Sequence, residues 1–347
     1  MIKSFIKKTL FTFACLILIV AQENIIAAQS GPSRYALIIS GLAGAPEYSE
    51  QYQTFLFKSR QALVDRFMFS PENITVLAGS LSDQEGFIDD ISTADNITAS
   101  ITSLAEKVTE IDDVYVFLFG HGSFDGKNAM LNIPRRDLKD SDYAELIDKI
   151  NARSIVFVNT SSCSAPFISH LSASNRIIIT ATKSGTERNE TVFPEFFVEA
   201  LSSESADLDK NDVLSFLEIF HYASERTARW YVDSNHLATE HPLMDDNGDN
   251  RGYMAMELTE NEEGNFASVS YLLDPSRIMG AAISGSDDTV LAGLFEEQVK
   301  INREISTLKA EKLNYSEADY MEKLELMLIR LAIITGEIED RQQILSQ

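Results

Sequence analysis

The chain has 347 residues, a hydrophobic fraction of 44% and a formal net charge of −24 at pH 7. This length and composition predict a globular protein with one sizeable core and room for a smaller appendage. The negative charge argues against nucleic acid as a partner, because binding it requires cationic groups that displace counterions from the phosphates.

The first residues have the three-part layout of a secretory signal. Lysines up to Lys8 precede an apolar run from Leu10 to Ala21, and Ala27 and Ala28 provide a small-residue cleavage site. The run is shorter than the ~20 apolar residues of a spanning helix, so an uncleaved anchor is the less favoured interpretation. We therefore predict a signal peptide over residues 1–28, export to the periplasm or beyond the cell, and no membrane span after its removal.

The chain has two cysteines, and one of them, Cys15, lies in this leader. The mature protein would keep only Cys163, and so would contain no intramolecular disulfide. Most free cysteines are small buried hydrophobic residues. The alternative is that Cys163 is a nucleophile, which its sequence context must decide.

From Tyr35 onward, short β-branched or aromatic runs alternate with segments of helical period. This alternation predicts an α/β fold with a mostly parallel sheet and helices on its faces. Val114–Phe119 is apolar on both faces, as expected for a central strand. The predicted strands are Tyr35–Ser40, Ile74–Leu77, Val114–Phe119, Ser154–Val158 and Ile177–Thr182, and the predicted helices include Tyr52–Phe67, Ile97–Thr109 and Tyr143–Ile150.

After Asp287 the sequence changes to long segments of helical period that are rich in Glu and Lys. An apolar stripe marks one helix, and Ser316–Asp319 resembles the capped start of a second. We predict an antiparallel helical hairpin over residues 286–347, with its stripe packed on itself or on the main domain. A protein partner for these helices is the alternative. The stripe comprises Leu291, Leu294, Val299, Ile301, Ile305 and Leu308, then Leu324, Leu328, Leu331 and Ile338.

Two predicted central strands end in residues that suggest chemistry. The third strand runs into Gly120-His121-Gly122, and the fourth runs into the segment 159–165, which contains Cys163. Catalytic groups gather beyond the carboxyl ends of parallel strands. If the two strands are neighbours, the imidazole and the thiol emerge at the same edge of the sheet.

An imidazole beside a thiol increases the thiolate fraction and later protonates a leaving amine. The backbone N–H groups of Gly122 and Cys163 are expected to stabilise a carbonyl oxygen that becomes negative. The sequence thus favours His121 and Cys163 as a catalytic pair, although Gly-His-Gly alone is a weak motif.

A strand ending in His-Gly, followed some forty residues later by a strand ending near Cys, resembles the caspase-like clan of cysteine peptidases, and in particular its legumain branch. The similarity extends over most of Arg34–Tyr271 and includes Ile38–Gly44 and Thr180–Thr182. It implies a caspase-like three-layer sandwich over residues 33–275. It also implies that His121 is the general acid/base, Cys163 the nucleophile and Gly122 an oxyanion donor, with a peptide or protein substrate and no required cofactor.

The chain departs from the legumain pattern at three places. Ser161 stands where legumains have an acidic residue, and Pro46–Ser49 replaces their arginine-containing first loop, so asparagine specificity is not implied. Glu47 lies near the position where legumains place an asparagine that steadies the histidine. A carboxylate there would orient His121 and favour its charged form, unless Glu47 is only a solvated loop residue.

The resemblance implies an endopeptidase that acts through a Cys163 thioester. A transamidase is an alternative with the same residues, because another amine can replace water at the thioester. The second alternative is a catalytically silent caspase-like module that presents a surface to partners, since fold does not guarantee activity.

An acidic segment matches part of a calcium-loop pattern, with Asp212 in place of the usual glycine. The competing interpretation is an acidic start to a helix over Val213–Trp230. A second oxygen-rich turn over residues 245–250 is interpreted either as another calcium loop or as a plain turn. The candidate calcium ligands of the first loop are Asp207, Asp209, Asn211, Ser215 and Glu218.

Overall fold

The structure is a computed structural model that describes residues 32–81, 86–210, 213–261, 263–273, 289–310, 312 and 315–345. The predicted signal peptide over residues 1–28 and the boundary at residues 285–286 lie outside these ranges. The described strands are β1 (Arg34–Ser40), β2 (Ile74–Ala78), β3 (Asp90–Ile91), β4 (Asp113–Phe119), β5 (Gly122–Phe124), β6 (Ala129–Leu131), β7 (Leu138–Lys139), β8 (Ser154–Asn159), β9 (Arg176–Thr180) and β10 (Leu243–Asp245).

A seven-stranded sheet in the order β10-β9-β8-β4-β1-β2-β3 forms the centre of the fold. Its neighbours pair in parallel except for β10, which runs antiparallel to β9. Every residue of β4 is buried, as its continuous apolar run predicted. The expectation of an α/β fold with a mostly parallel sheet is confirmed, and the five predicted strands match β1, β2, β4, β8 and β9 to within two residues.

Helices cover both faces of this sheet, so the fold has three layers. The described helices are α1 (Pro46–Asp65), α2 (Ala94–Lys107), α3 (Asp140–Ile147), α4 (Pro166–Leu171), α5 (Phe193–Ser202), α6 (Phe216–Asp233), α7 (Thr289–Ala310) and α8 (Glu317–Leu345). One apolar cluster joins α1, α5 and α6 to side chains such as Phe117. The other joins α2, α3 and α4 to the opposite face, where Val116 and Phe157 lie.

Helices α2 and α3 each begin three residues before the expected position, at Ala94 and Asp140. Two other helices also begin at positions other than those expected. Helix α1 starts at Pro46 rather than Tyr52, because proline is well suited to a first helical turn, where its missing N–H has no partner to lose. Helix α6 starts at Phe216 rather than Val213. Ser215 is its N-cap and forms a reciprocal capping box with Glu218.

A small antiparallel sheet of β5, β6 and β7 follows directly after His121. The sequence did not indicate it, because strands of two or three residues are too short to show a period. Its first strand begins at Gly122. The small sheet therefore forms one wall beside the residues expected to be catalytic.

Helices α7 and α8 pack on each other through an apolar cluster. Leu291, Ile301 and Ile338 are buried in it, whereas Leu328 of the predicted stripe is 48% exposed. Gln298 also donates from its side chain to the hydroxyl of Thr335 at 2.9 Å. Among the described residues, no helix combines the length and the apolar character needed to cross a membrane.

Candidate active site

The loops that follow β4 and β8 contact each other. The two strands are parallel neighbours, with Leu118 opposite Asn159. Beyond them, the Gly122 N–H donates to Ser162 Oγ at 3.0 Å, and that hydroxyl donates to the Gly122 carbonyl at 3.2 Å. His121 and Cys163, the sequence neighbours of these two residues, thus lie at the same edge of the sheet.

Gly122 is required by this close approach. A β-carbon placed on it would lie 2.0 Å from the carbonyl oxygen of Ser162. That oxygen belongs to the backbone and cannot move aside without shifting the loop that carries Cys163. The glycine therefore sets how near the two loops come.

Cys163 lies in a turn between β8 and α4 with φ +59°. Residues with a β-carbon rarely adopt this left-handed conformation, and it is strained for a cysteine. Strain of this kind is concentrated at functional sites, where the surrounding structure holds it in place. The backbone at Cys163 is consistent with a residue whose side chain must be presented in one direction.

The side chain of Cys163 has no exposed surface. It belongs to neither of the apolar clusters that cover the described sheet, and the serines on each side of it are buried as well. Burial raises the pKa of the thiol, while the positive charge of Arg188 acts to lower it. The thiol is thus covered from solvent at the edge of the sheet, and burial favours its protonated form.

The segment Lys183–Glu190, which we call the covering segment, contacts the residues around Cys163. The carbonyl of Glu187 accepts the Cys163 N–H at 2.8 Å. The Glu187 carboxylate is in turn held by His241, with Oε1 2.6 Å from Nδ1. Gly185 packs so closely on the Phe124 ring that an added β-carbon would be 2.6 Å from it.

Both ring nitrogens of His121 have partners. Nε2 is 3.0 Å from the carbonyl oxygen of Ala43, and Nδ1 is 2.5 Å from Oε2 of Glu190. A carbonyl and a carboxylate only accept, so this arrangement suits an imidazole that carries protons on both nitrogens. The hydrogen bond with Glu190, helped by its charge, raises the pKa of His121 against the opposing effect of burial.

Two tyrosines of α1 hold this ion pair in place. The Tyr48 ring meets the His121 ring edge-on, with centroids 4.8 Å apart. Tyr52 donates to Oε1 of Glu190 at 3.1 Å, and burial, together with Glu190, raises the pKa of its hydroxyl. The Glu190 carboxylate is thus fixed by a phenol on one oxygen and an imidazolium on the other.

The expectation that Glu47 orients His121 is wrong for this conformation. Glu47 lies exposed in the first turn of α1, and the partners of the imidazole are Ala43 and Glu190. Because α1 starts at Pro46, the first turn carries the Glu47 side chain to solvent instead of to the ring.

The two N–H groups expected to form an oxyanion pocket are both occupied by acceptors from the protein. Gly122 donates to Ser162 Oγ, and Cys163 donates to the Glu187 carbonyl. A substrate carbonyl would have to displace both acceptors. In this structure the Cys163 thiol is buried, and the His121 ring and both N–H groups have partners within the protein.

The first predicted calcium loop is used in part as a helix cap. Oxygens of Asp207, Asp209 and Glu218 lie within 4.8 Å of one another, but Glu218 accepts from the Ser215 N–H and hydroxyl on one oxygen. Its other oxygen accepts the N–H groups of Leu208 and Asp209. Asn211 lies outside the described residues, and calcium binding by this loop stays a prediction.

The fold brings His121, Gly122 and Cys163 to one edge of the sheet, and it adds Glu187 and Glu190, which the sequence did not single out. The one available signal was position, because the covering segment follows β9 at the same carboxyl edge. No family model matches the chain, and no curated protein matches it either. The similarity to legumains therefore rests on the motifs alone.

Replacing Gly122 with alanine is expected to lower the free energy of unfolding by about 1–3 kcal/mol, because the methyl group has no space beside Ser162. Urea unfolding measures this change. Gly86→Ala is the matched control, since a β-carbon there meets no atom of the described residues within 4 Å. An equal stability of both variants would contradict the close contact between the two loops.

Glu190→Gln is expected to lower the pKa of His121, because the neutral amide no longer stabilises the imidazolium. Histidine NMR titration measures this. Glu47→Gln is the control and should leave the titration unchanged. If Glu47→Gln shifted it and Glu190→Gln did not, the assignment of the partner would be incorrect.

The same pair predicts the sign of a pH effect on stability. Since the folded-state pKa of His121 is raised, the pair stabilises the fold fully below the pKa of an unfolded histidine, and this contribution is lost as pH rises through the folded-state pKa. The wild type should therefore lose its stability advantage over Glu190→Gln as pH rises above about 6.5, the ordinary pKa of histidine.

Proposed function

We propose that this protein is a cysteine peptidase of caspase-like architecture, similar to legumains, with Cys163 as nucleophile and His121 as general acid/base. The observation that carries the proposal is the direct contact between the loops that follow β4 and β8, through Gly122 and Ser162. The three-layer fold and the order of histidine before cysteine along the chain also support it.

The contacts of the His121 ring indicate which of its two nitrogens transfers protons in the proposed mechanism. Nε2 is bound to the Ala43 carbonyl, which leaves Nδ1 as the nitrogen that exchanges protons. We propose that Nδ1 first gives up its own proton to solvent as Glu190 leaves it. Nδ1 then takes the thiol proton, and the Cys163 thiolate attacks the substrate carbonyl. The sulfur–carbon bond forms as the carbon–nitrogen bond breaks, and Nδ1 returns the proton to the leaving amine.

Water then attacks the thioester and releases the acid product, with His121 again as the base. If an amine attacks instead, the outcome is transamidation. In both cases the N–H groups of Gly122 and Cys163 stabilise the oxyanion once Ser162 Oγ and the Glu187 carbonyl have released them. Turnover thus requires the covering segment to move away and Glu190 to leave Nδ1.

The second candidate function is a catalytically silent module that binds partners. Its specific support is the complete burial of Cys163, whose N–H is bound by a segment anchored by two histidine–glutamate pairs. In an active enzyme this closure is reversible, whereas in a silent module it is permanent. The two candidates therefore differ in whether the thiol can be reached.

Cys163→Ala is expected to abolish hydrolysis of a mixed peptide library while the melting temperature stays nearly unchanged. The Cys163→Ala variant and the protein that keeps Cys163 should both carry Cys15→Ser. Cys163 is then the only thiol of the second protein, and its labelling by iodoacetamide can be followed without background. Hydrolysis that persisted in the Cys163→Ala protein would show that another residue is the nucleophile.

His241→Ala is expected to loosen the covering segment, because Glu187 loses the imidazole that holds its carboxylate. Charge-assisted hydrogen bonds contribute about 1.5–3 kcal/mol, so iodoacetamide labelling of Cys163 should accelerate about tenfold or more. Peptide hydrolysis should rise with it. The measurement is made at mildly acidic pH, where a thiol paired with imidazolium still reacts.

His170→Ala is the matched control, since His170 lies 3.9 Å from a different carboxylate, Asp140, and is more exposed. It should change neither labelling nor hydrolysis. Faster labelling of the His241→Ala protein without any hydrolysis would favour the silent module. No change in labelling would mean that the covering segment does not control access to Cys163.

A further inference from the structure

The turn that follows β10 lies at the end of the sheet remote from the candidate active site. In the antiparallel pairing with β9, Leu243 is opposite Thr180 and Asp245 is opposite Ile178. The chain at Asp245 is therefore leaving the edge where Cys163 lies. The turn then packs on the residues before β9, where a β-carbon on Gly248 would be 2.8 Å from Ala173.

Three carboxylates meet at this turn. Asp245, Asp249 and Glu263 each place an oxygen within 4.8 Å of the other two. Asp245 is 1% exposed and Glu263 is 5% exposed. Their Oδ2 and Oε1 atoms are buried, and neither has a hydrogen-bond partner in the described part of the chain.

Other oxygens of the same groups hold the turn together. Asp245 Oδ1 accepts the Gly248 N–H at 3.0 Å, and Glu263 Oε2 accepts the Asp246 N–H at 2.8 Å. Asp246 uses both of its oxygens for the N–H groups of Gly264 and Ala267. The turn is thus fixed by one oxygen of Asp245 and one of Glu263, while the second oxygen of each is left without a donor.

Leaving buried carboxylate oxygens unpartnered is costly, and their mutual repulsion adds to that cost. Among the described residues, no lysine, arginine or histidine forms an ion pair with the three carboxylates. Two things can relieve the cost, a proton shared between carboxylates or a bound cation.

We propose that Asp245 Oδ2, Glu263 Oε1 and the carboxylate of Asp249 bind a calcium ion that ties the turn after β10 to Glu263. The ligand set consists of oxygens, with no thiol or imidazole, which suits a hard cation and not zinc or copper. Calcium accepts the irregular geometry and additional water ligands that an exposed Asp249 permits. The site lies apart from Cys163, so its role is structural.

Terbium binds to the same kinds of ligand as calcium, and its emission can be excited through a nearby tyrosine, which provides a test of the proposal. The Tyr253 hydroxyl is 3.4 Å from Asp249 Oδ2, so excitation of tyrosine should transfer energy to a terbium ion held there. The full chain, first stripped with EDTA, should show saturable terbium emission that added calcium removes. Calcium should also raise the melting temperature by about 3 °C or more at saturating concentration.

Asp249→Asn tests whether the ion binds at this cluster. The substitution should not disturb the turn, because Asp249 is exposed and the amide oxygen can still accept the Arg251 N–H. This variant should bind terbium at least about tenfold more weakly and lose most of the calcium-induced thermal shift. Tyr253→Phe should lose the sensitised emission and keep the thermal shift. Asp207→Asn, in the other acidic loop, should keep both responses.

The proposal is overturned if the wild type shows neither emission nor a thermal shift, which would mean that the carboxylates share a proton instead. It is equally overturned if Asp249→Asn responds like the wild type, or if only Asp207→Asn loses the response. Cys163→Ala should bind calcium normally, so a failure of the peptidase proposal leaves this result unaffected.

Discussion

Parallel pairing of β4 with β8 places Leu118 opposite Asn159, so the chain leaves both strands side by side at one edge of the sheet. The burial of β4 on both faces makes this register hard to change, because a slip of one residue would move every side chain to the other face. Gly122 then allows the two loops to touch at backbone distance. Each feature of the candidate active site depends on that register, from the position of His121 to the left-handed backbone of Cys163.

Two imidazole–carboxylate pairs anchor the covering segment beside Cys163. Glu190 occupies Nδ1 of His121, and Glu187 is anchored by His241 while its carbonyl takes the Cys163 N–H. Burial raises the pKa of the Cys163 thiol and the ion pair raises the pKa of His121, so each favours the protonated form of its group. Under the proposed function, these are the contacts that must break before a substrate reaches the thiol.

Sequence periodicity was sufficient to predict the layers of the fold. Strands such as Val114–Phe119 are apolar on both faces, so they can be recognised from the local sequence alone. The pair His121 and Cys163 followed from the rule that ligands gather at the carboxyl ends of parallel strands. The carboxylate that pairs with His121 could not be predicted in this way. Glu47 was close along the chain but is turned to solvent by the start of α1 at Pro46, whereas Glu190 reaches the ring from after β9. Contacts between distant segments depend on loop paths that have no period.

The treatment of negative charge differs between the two ends of the sheet. At the carboxyl edge, Glu187 and Glu190 each face an imidazole, so a buried carboxylate is compensated within the chain. At the other end, Asp245 and Glu263 are more deeply buried and have no cationic side chain paired with them among the described residues. Such groups cannot remain both charged and unpaired at low cost, and the proposed calcium ion would compensate them. A turn that follows an edge strand is a suitable place for it, since Asp249 keeps the cluster open to solvent and to ions.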